Sequence, residues 1–242
     1  MTQANANADP DPKAITTRWI DLAPGFAGYL ALPPSGHGPG LVLYQEIFGV
    51  NAHIRAVAEQ YALDGFVVLA PDVFWRQQPR VELGYEGEDW ARARAFMTAC
   101  VPAELIADIG TAVGALRARP EVGGRKVGAI GYCMGGRMAY LAAATAGVDA
   151  AVPFYGGGIH AQLERVPSIT CPVQFHYAAE DDHIPPEAVD SVRQAFAGKA
   201  AEVHVYPGSK HGFNCWARAS YHAPSAALSH GRALAFLAGQ LY

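Results

Sequence analysis

The pentapeptide Gly131-Tyr132-Cys133-Met134-Gly135 sets two glycines around a cysteine with the spacing of a nucleophile elbow, Cys standing where Ser is commoner. Small flanking residues permit a sharp turn from strand to helix. That turn would lift the Cys133 sulfur to a helix N-terminus, where the helix dipole and free N–H groups favour a thiolate. The same spacing also suits plain close packing of strand on helix, with Cys133 a buried apolar side chain. A cysteine nucleophile needs a base, and the base needs a carboxylate to orient it. Both types follow downstream, in Ala179-Glu180-Asp181-Asp182-His183-Ile184-Pro185 and in Ser209-Lys210-His211-Gly212-Phe213. Loop histidines are commonly solvated and loop aspartates commonly form turns. The order nucleophile, acid, histidine is nonetheless that of acyl-transfer enzymes built on parallel sheets.

The elements that must position these residues alternate strand and helix. Residues 40–44, 66–70, 126–132, 150–155, 172–177 and 202–206 read as short apolar strands. Between them fall amphipathic helices: one capped by Asn51 with Ile54, Val57 and Tyr61 on one face, one carrying Ile106, Ile109, Val113 and Leu116, and one from about 134 to 146. A helix striped by Val189, Val192 and Phe196 and a closing helix with Leu234, Leu237 and Leu241 complete the series. Continuous apolar strands alternating with helices predict an α/β fold with a mostly parallel sheet covered on both faces. Segments 15–22 and 26–32 lie too close for a helical crossover, which predicts an antiparallel hairpin at one sheet edge. In such folds ligands sit at the carboxyl ends of the strands, where the candidate residues fall.

Composition narrows the field. The 242 residues are 51% apolar and 17% charged with a formal charge of −4, so no basic field is available for a phosphate backbone and nucleic acid is excluded as a partner. No apolar run is long enough to span a bilayer, and no membrane association is expected. Four cysteines, Cys100, Cys133, Cys171 and Cys215, lack the spacing of a disulfide scaffold or a zinc site, so a reducing cytoplasm is the expected location and Cys100, Cys171 and Cys215 are expected to be buried thiols. The polar segment 1–13 is expected to be a disordered tail without signal-peptide character, and 14–242 a single domain. Gly156-Gly157-Gly158 has no phosphate-loop spacing and reads as a flexible loop. His176 reads as a locally bonded strand histidine. A zinc set of His183, His211 and a cysteine has no ligand spacing, and neither metal nor cofactor is expected.

Five segments together carry a resemblance: Gln45-Glu46-Ile47-Phe48-Gly49-Val50-Asn51, Pro71-Asp72, Gly131-Tyr132-Cys133-Met134-Gly135-Gly136, Asp181-Asp182-His183-Ile184-Pro185 and Gly208-Ser209-Lys210-His211-Gly212-Phe213. From about residue 40 to 237 the chain resembles the dienelactone hydrolase family. The resemblance implies an α/β-hydrolase core and a triad of Cys133, His211 and Asp181, the Ile184-Pro185 pair favouring Asp181 over Asp182. It also implies that Glu46, otherwise an ordinary loop acid, contacts the resting thiol, and that the backbone N–H groups of Ile47 and Met134 form the oxyanion hole. An unpaired Glu46 carboxylate would hold the nearby thiol protonated until substrate arrives.

Family members that open dienelactones hold the substrate carboxylate with arginines, one of them four residues after the histidine, where this chain has Cys215. Arg80, Arg92 and Arg94 are present, but none is assigned that role by alignment. Phe48, Tyr85, Trp90 and Phe154 are candidates to line the substrate pocket. The expected activity is cofactor-free hydrolysis of a lactone or small ester through a thioester on Cys133, by a monomer or small homo-oligomer. The alternatives are a small-molecule sensor on a hydrolase scaffold and a thiol redox protein.

Overall fold

A computed structural model describes residues 14–242, and the tail expected at 1–13 lies outside it. Eight strands form one sheet: β1 (Thr16–Ala23), β2 (Phe26–Leu32), β3 (Gly40–Tyr44), β4 (Val67–Pro71), β5 (Val127–Tyr132), β6 (Ala150–Phe154), β7 (Val173–Ala178) and β8 (Ala201–Tyr206). Their spatial order is β1-β2-β4-β3-β5-β6-β7-β8. The β1–β2 hairpin and the β2–β4 pairing are antiparallel, and every pairing from β4 through β3 to β8 is parallel. This is the α/β architecture with an antiparallel edge that the sequence predicts. Strands β3 to β7 are buried along their whole length, which is why they read as unbroken apolar runs. β1 and β8, at the two edges, are partly exposed.

Six helices follow the strands: α1 (Ala52–Leu63), α2 (Gly87–Thr98), α3 (Pro102–Arg117), α4 (Met134–Thr145), α5 (Pro186–Ala195) and α6 (Ala223–Leu241). Strand pleating assigns them to faces, because alternate residues point to opposite sides. On β5, a side chain at Gly128 would meet Leu237 and Leu241 of α6, whereas one at Gly131 would meet Gly135 of α4. α4 and α6 therefore cover opposite faces of the sheet's centre. α2 and the short 3-10 turns Ile159–Ala161 and Leu163–Ser168 are not foreseen from the sequence pattern. No single helix among the described residues is long and apolar enough to cross a membrane.

Candidate active site

β5 ends at Tyr132 and α4 begins at Met134, so Cys133 alone makes the turn, with φ 57° and ψ −116°. A left-handed φ is costly for a residue with a Cβ. The tight packing around it explains the flanking glycines. A Cβ at Gly131 would stand 2.1 Å from the Gly135 carbonyl oxygen, and one at Gly135 would stand 2.2 Å from that of Tyr44. The backbone N–H of Cys133 donates to the Phe154 carbonyl at 3.0 Å, fixing the turn to β6. The partly buried thiol faces a cavity of about 270 Å³, lined also by Ile47, Phe48, Trp90, Arg94, Met97, Met134, Arg137, Gly157, Gly158, His183, His211 and Arg218.

His211 lies beyond β8 and Asp181 beyond β7, at neighbouring parallel strand ends. The imidazole Nδ1 and Asp181 Oδ2 are 2.8 Å apart, and the Asp181 side chain has no exposed surface. Asp181 Oδ1 accepts the His183 backbone N–H at 2.8 Å, which fixes the carboxylate's orientation. Asp182 is exposed. Burial alone would lower the His211 pKa. The Cys133 sulfur beside it and the hydrogen bond to Asp181 outweigh burial and push it up to about 10. The backbone N–H groups of Ile47 and Met134, both on the cavity, have no acceptor among the described residues.

Glu46 departs from expectation. It follows β3 and is 1% exposed, but it is not unpaired: its Oε1 accepts from Arg218 Nη1 at 2.9 Å. No hydrogen bond joins it to the Cys133 sulfur, and its Oε2 has no hydrogen-bond partner. Arg218 offsets the carboxylate's charge, so the argument that an unpaired Glu46 keeps the thiol protonated does not hold in this arrangement. Arg218 is the residue that sequence reasoning missed. It stands seven positions after His211, and the turn that carries it runs back over the site. Gly212 makes room for it: with φ at 80°, a Cβ there would lie 2.3 Å from Arg218 Nη1. The guanidinium also lies 5.7 Å from the Phe48 ring centre and 5.8 Å from that of Trp90. A glycine after the histidine and an arginine within the same loop were the available signals.

Of the four aromatic candidates, Phe48 and Trp90 reach the cavity and two do not. Tyr85 packs edge-on against Phe48 at 4.6 Å and its hydroxyl accepts from Asn51 at 3.0 Å. Phe154 is wholly buried and stacks on His176 at 4.2 Å. His176 is held between Tyr206 and Gln174, as a locally bonded strand histidine would be. Arg94 reaches the cavity; Arg92 pairs with Asp89, and Arg80 sits over Trp19. Cys215 is buried, while Cys100 and Cys171 are only partly so, contrary to expectation. Gly157 and Gly158 line the cavity beside the first 3-10 turn. Among the described residues one group of three possible metal donors gathers, Glu46, His53 and Cys215, with donor atoms within 4.8 Å of one another. His183 and His211 belong to no such group.

Comparison with known proteins places the chain in a family. Residues 26–241 match the Dienelactone hydrolase family. A putative carboxymethylenebutenolidase of Synechocystis sp. is 37% identical over 213 residues, covering 84% of this chain and 87% of the relative. The carboxymethylenebutenolidase of Pseudomonas putida is 34% identical over 215 residues, covering 88% and 91%. The crystal structure of a putative dienelactone hydrolase from Klebsiella pneumoniae superposes with a TM-score of 0.81 at 30% identity, covering 93% of this chain and 99% of that one. With the family model, the sequence relatives and the superposed structure in agreement, the chain belongs to the dienelactone hydrolase family, as a lactone or ester hydrolase of the α/β-hydrolase fold.

Proposed function

We propose that the protein hydrolyses a lactone or small ester bearing an anionic group, through a thioester acyl-enzyme on Cys133. The observation that carries this reading is the bond between His211 and buried Asp181, with Cys133 on a strained turn in the same cavity. Arg218 offers a guanidinium to the substrate's anionic group, beside the aromatic faces of Phe48 and Trp90. When that group takes Arg218, Glu46 loses its partner and swings to accept the thiol proton. His211, as imidazolium, stabilises the thiolate.

The sulfur then attacks the carbonyl carbon, and the developing oxyanion is met by the N–H groups of Ile47 and Met134. Collapse breaks the carbon–oxygen bond, and His211 gives its proton to the leaving oxygen. In a lactone that oxygen stays on the same molecule as an enol or alcohol. Water next attacks the thioester carbon, one proton passing to the now neutral His211; collapse breaks the carbon–sulfur bond, the released thiolate takes back the proton held by Glu46, and the product leaves as a carboxylate. A Cys-dependent hydrolase, not a sensor or a redox thiol, is therefore the reading adopted. The test uses an activated aryl ester, a simple lactone and a dienelactone with intact protein and Cys133→Ala, plus mass spectrometry of the quenched reaction. Turnover by the intact protein with the acyl group on the Cys133 peptide is expected. No turnover of any substrate, or turnover surviving Cys133→Ala, overturns the reading.

A further inference from the structure

Behind the active site lies a group of donors that the proposed chemistry leaves only partly used. Glu46 contributes from the loop after β3, His53 from the first turn of α1, and Cys215 from the loop after His211; all three are buried. Two of their polar atoms are orphaned. Glu46 Oε2 and His53 Nδ1 have no hydrogen-bond partner and no exposed surface. Buried polar atoms without partners are rare and ask for an occupant. Thiol, imidazole and carboxylate together make a donor set suited to a borderline-soft divalent ion, and three protein ligands leave one position open.

We propose that Glu46, His53 and Cys215 bind one divalent ion of the zinc class, and that the bound ion holds Glu46 away from the Cys133 thiol. Their donor atoms lie within 4.8 Å of one another. A tetrahedral ion with bonds of about 2.0–2.3 Å sets its donors roughly 3.3–3.8 Å apart, so contraction by about 1 Å completes the set. The two oxygens of Glu46 divide the work: Oε1 stays with Arg218, and Oε2, which has no partner, is left to bind the ion. Binding of the ion displaces the Cys215 thiol proton to solvent as the sulfur–metal bond forms. Trp216, which is 46% exposed, packs edge-on against His53 at 4.1 Å on the outer side of the cluster.

The binding half stands on the donor cluster alone. The inhibitory half rests on the proposed role of Glu46, and the two are tested separately. Chelator-treated protein is titrated with cobalt(II), following the thiolate-to-cobalt charge-transfer band, and with zinc, following metal content after gel filtration. One ion per chain is expected in the intact protein and in Cys133→Ser. In Cys215→Ser and His53→Gln, affinity should fall by at least the about 10–100-fold that loss of an outer-shell partner costs. Should Cys215→Ser fail to fold, His53→Gln decides. No charge-transfer band, or a band lost in Cys133→Ser and kept in Cys215→Ser, overturns the site. Zinc should suppress acylation of intact protein and spare it in His53→Gln. Binding with undiminished acylation overturns the inhibitory half, while metal-free acylation that is undiminished in Glu46→Gln overturns the role of Glu46 itself; either result leaves the site established.

Discussion

Asp181 and Asp182 are neighbours in sequence and differ in what the fold does with them. Asp181 is sealed against His211 and anchored by the His183 backbone N–H, whereas Asp182 faces solvent. Asp181→Asn should lower turnover by about 10³–10⁴-fold, as a misheld tautomer does in a comparable triad, and Asp182→Asn should change it little. The pH profile carries a second sign. Asp181 is one of the groups raising His211, so without it the imidazolium loses its proton at lower pH. The alkaline decline in kcat/KM should therefore move to lower pH in Asp181→Asn. The Glu46–Arg218 pair makes a different prediction. With side-chain exposures of 1% and 12%, removing one charge strands the other. Arg218→Met should destabilise by about 3–5 kcal/mol, and adding Glu46→Gln should restore most of it. Urea melts of the intact protein, Arg218→Met, Glu46→Gln and the double variant measure this. The catalytic candidates were legible because motif spacing marks them. Arg218 was not, because its place depends on a left-handed glycine that folds the loop back.

At the scale of elements, legibility followed burial. Strands β3 to β7 announce themselves because both faces are covered, and the Asn51 cap because a polar residue precedes an apolar stripe. α2 gave no such signal: it buries only Ala93 fully. Its inner stripe, Trp90, Arg94 and Met97 at positions i, i+4 and i+7, borders the cavity rather than the core, so a mixed pattern is what function requires of it. Asn51 ties the two kinds of element together. Its side chain accepts the Ile54 N–H at 3.2 Å and donates to the Leu83 carbonyl at 3.1 Å and the Tyr85 hydroxyl at 3.0 Å. Asn51→Ala should cost about 2–3 kcal/mol, the sum of a lost cap and two buried bonds. Denaturant unfolding is the check. A loss below about 0.5 kcal/mol would show that water replaces all three bonds.

At the scale of the whole molecule, the fold brings together site residues 172 positions apart, Glu46 and Arg218. The parallel order was readable from the sequence because strand and helix alternate. The donor cluster around Glu46 was not, since its members share no spacing and meet only through the packing of two loops and the first turn of α1. The turn at Cys133 has a consequence for how this chain behaves under selection. Its φ of 57° is a conformation that glycine adopts freely and cysteine does not. Cys133→Gly should therefore raise the midpoint of thermal unfolding relative to Cys133→Ala, by relieving about 1–2 kcal/mol of backbone strain. Differential scanning calorimetry distinguishes the two, and equal midpoints would mean the elbow is unstrained. Mutagenesis screened for robustness alone would drift toward the inert glycine variant, and only a screen that scores turnover would keep the thiol in place.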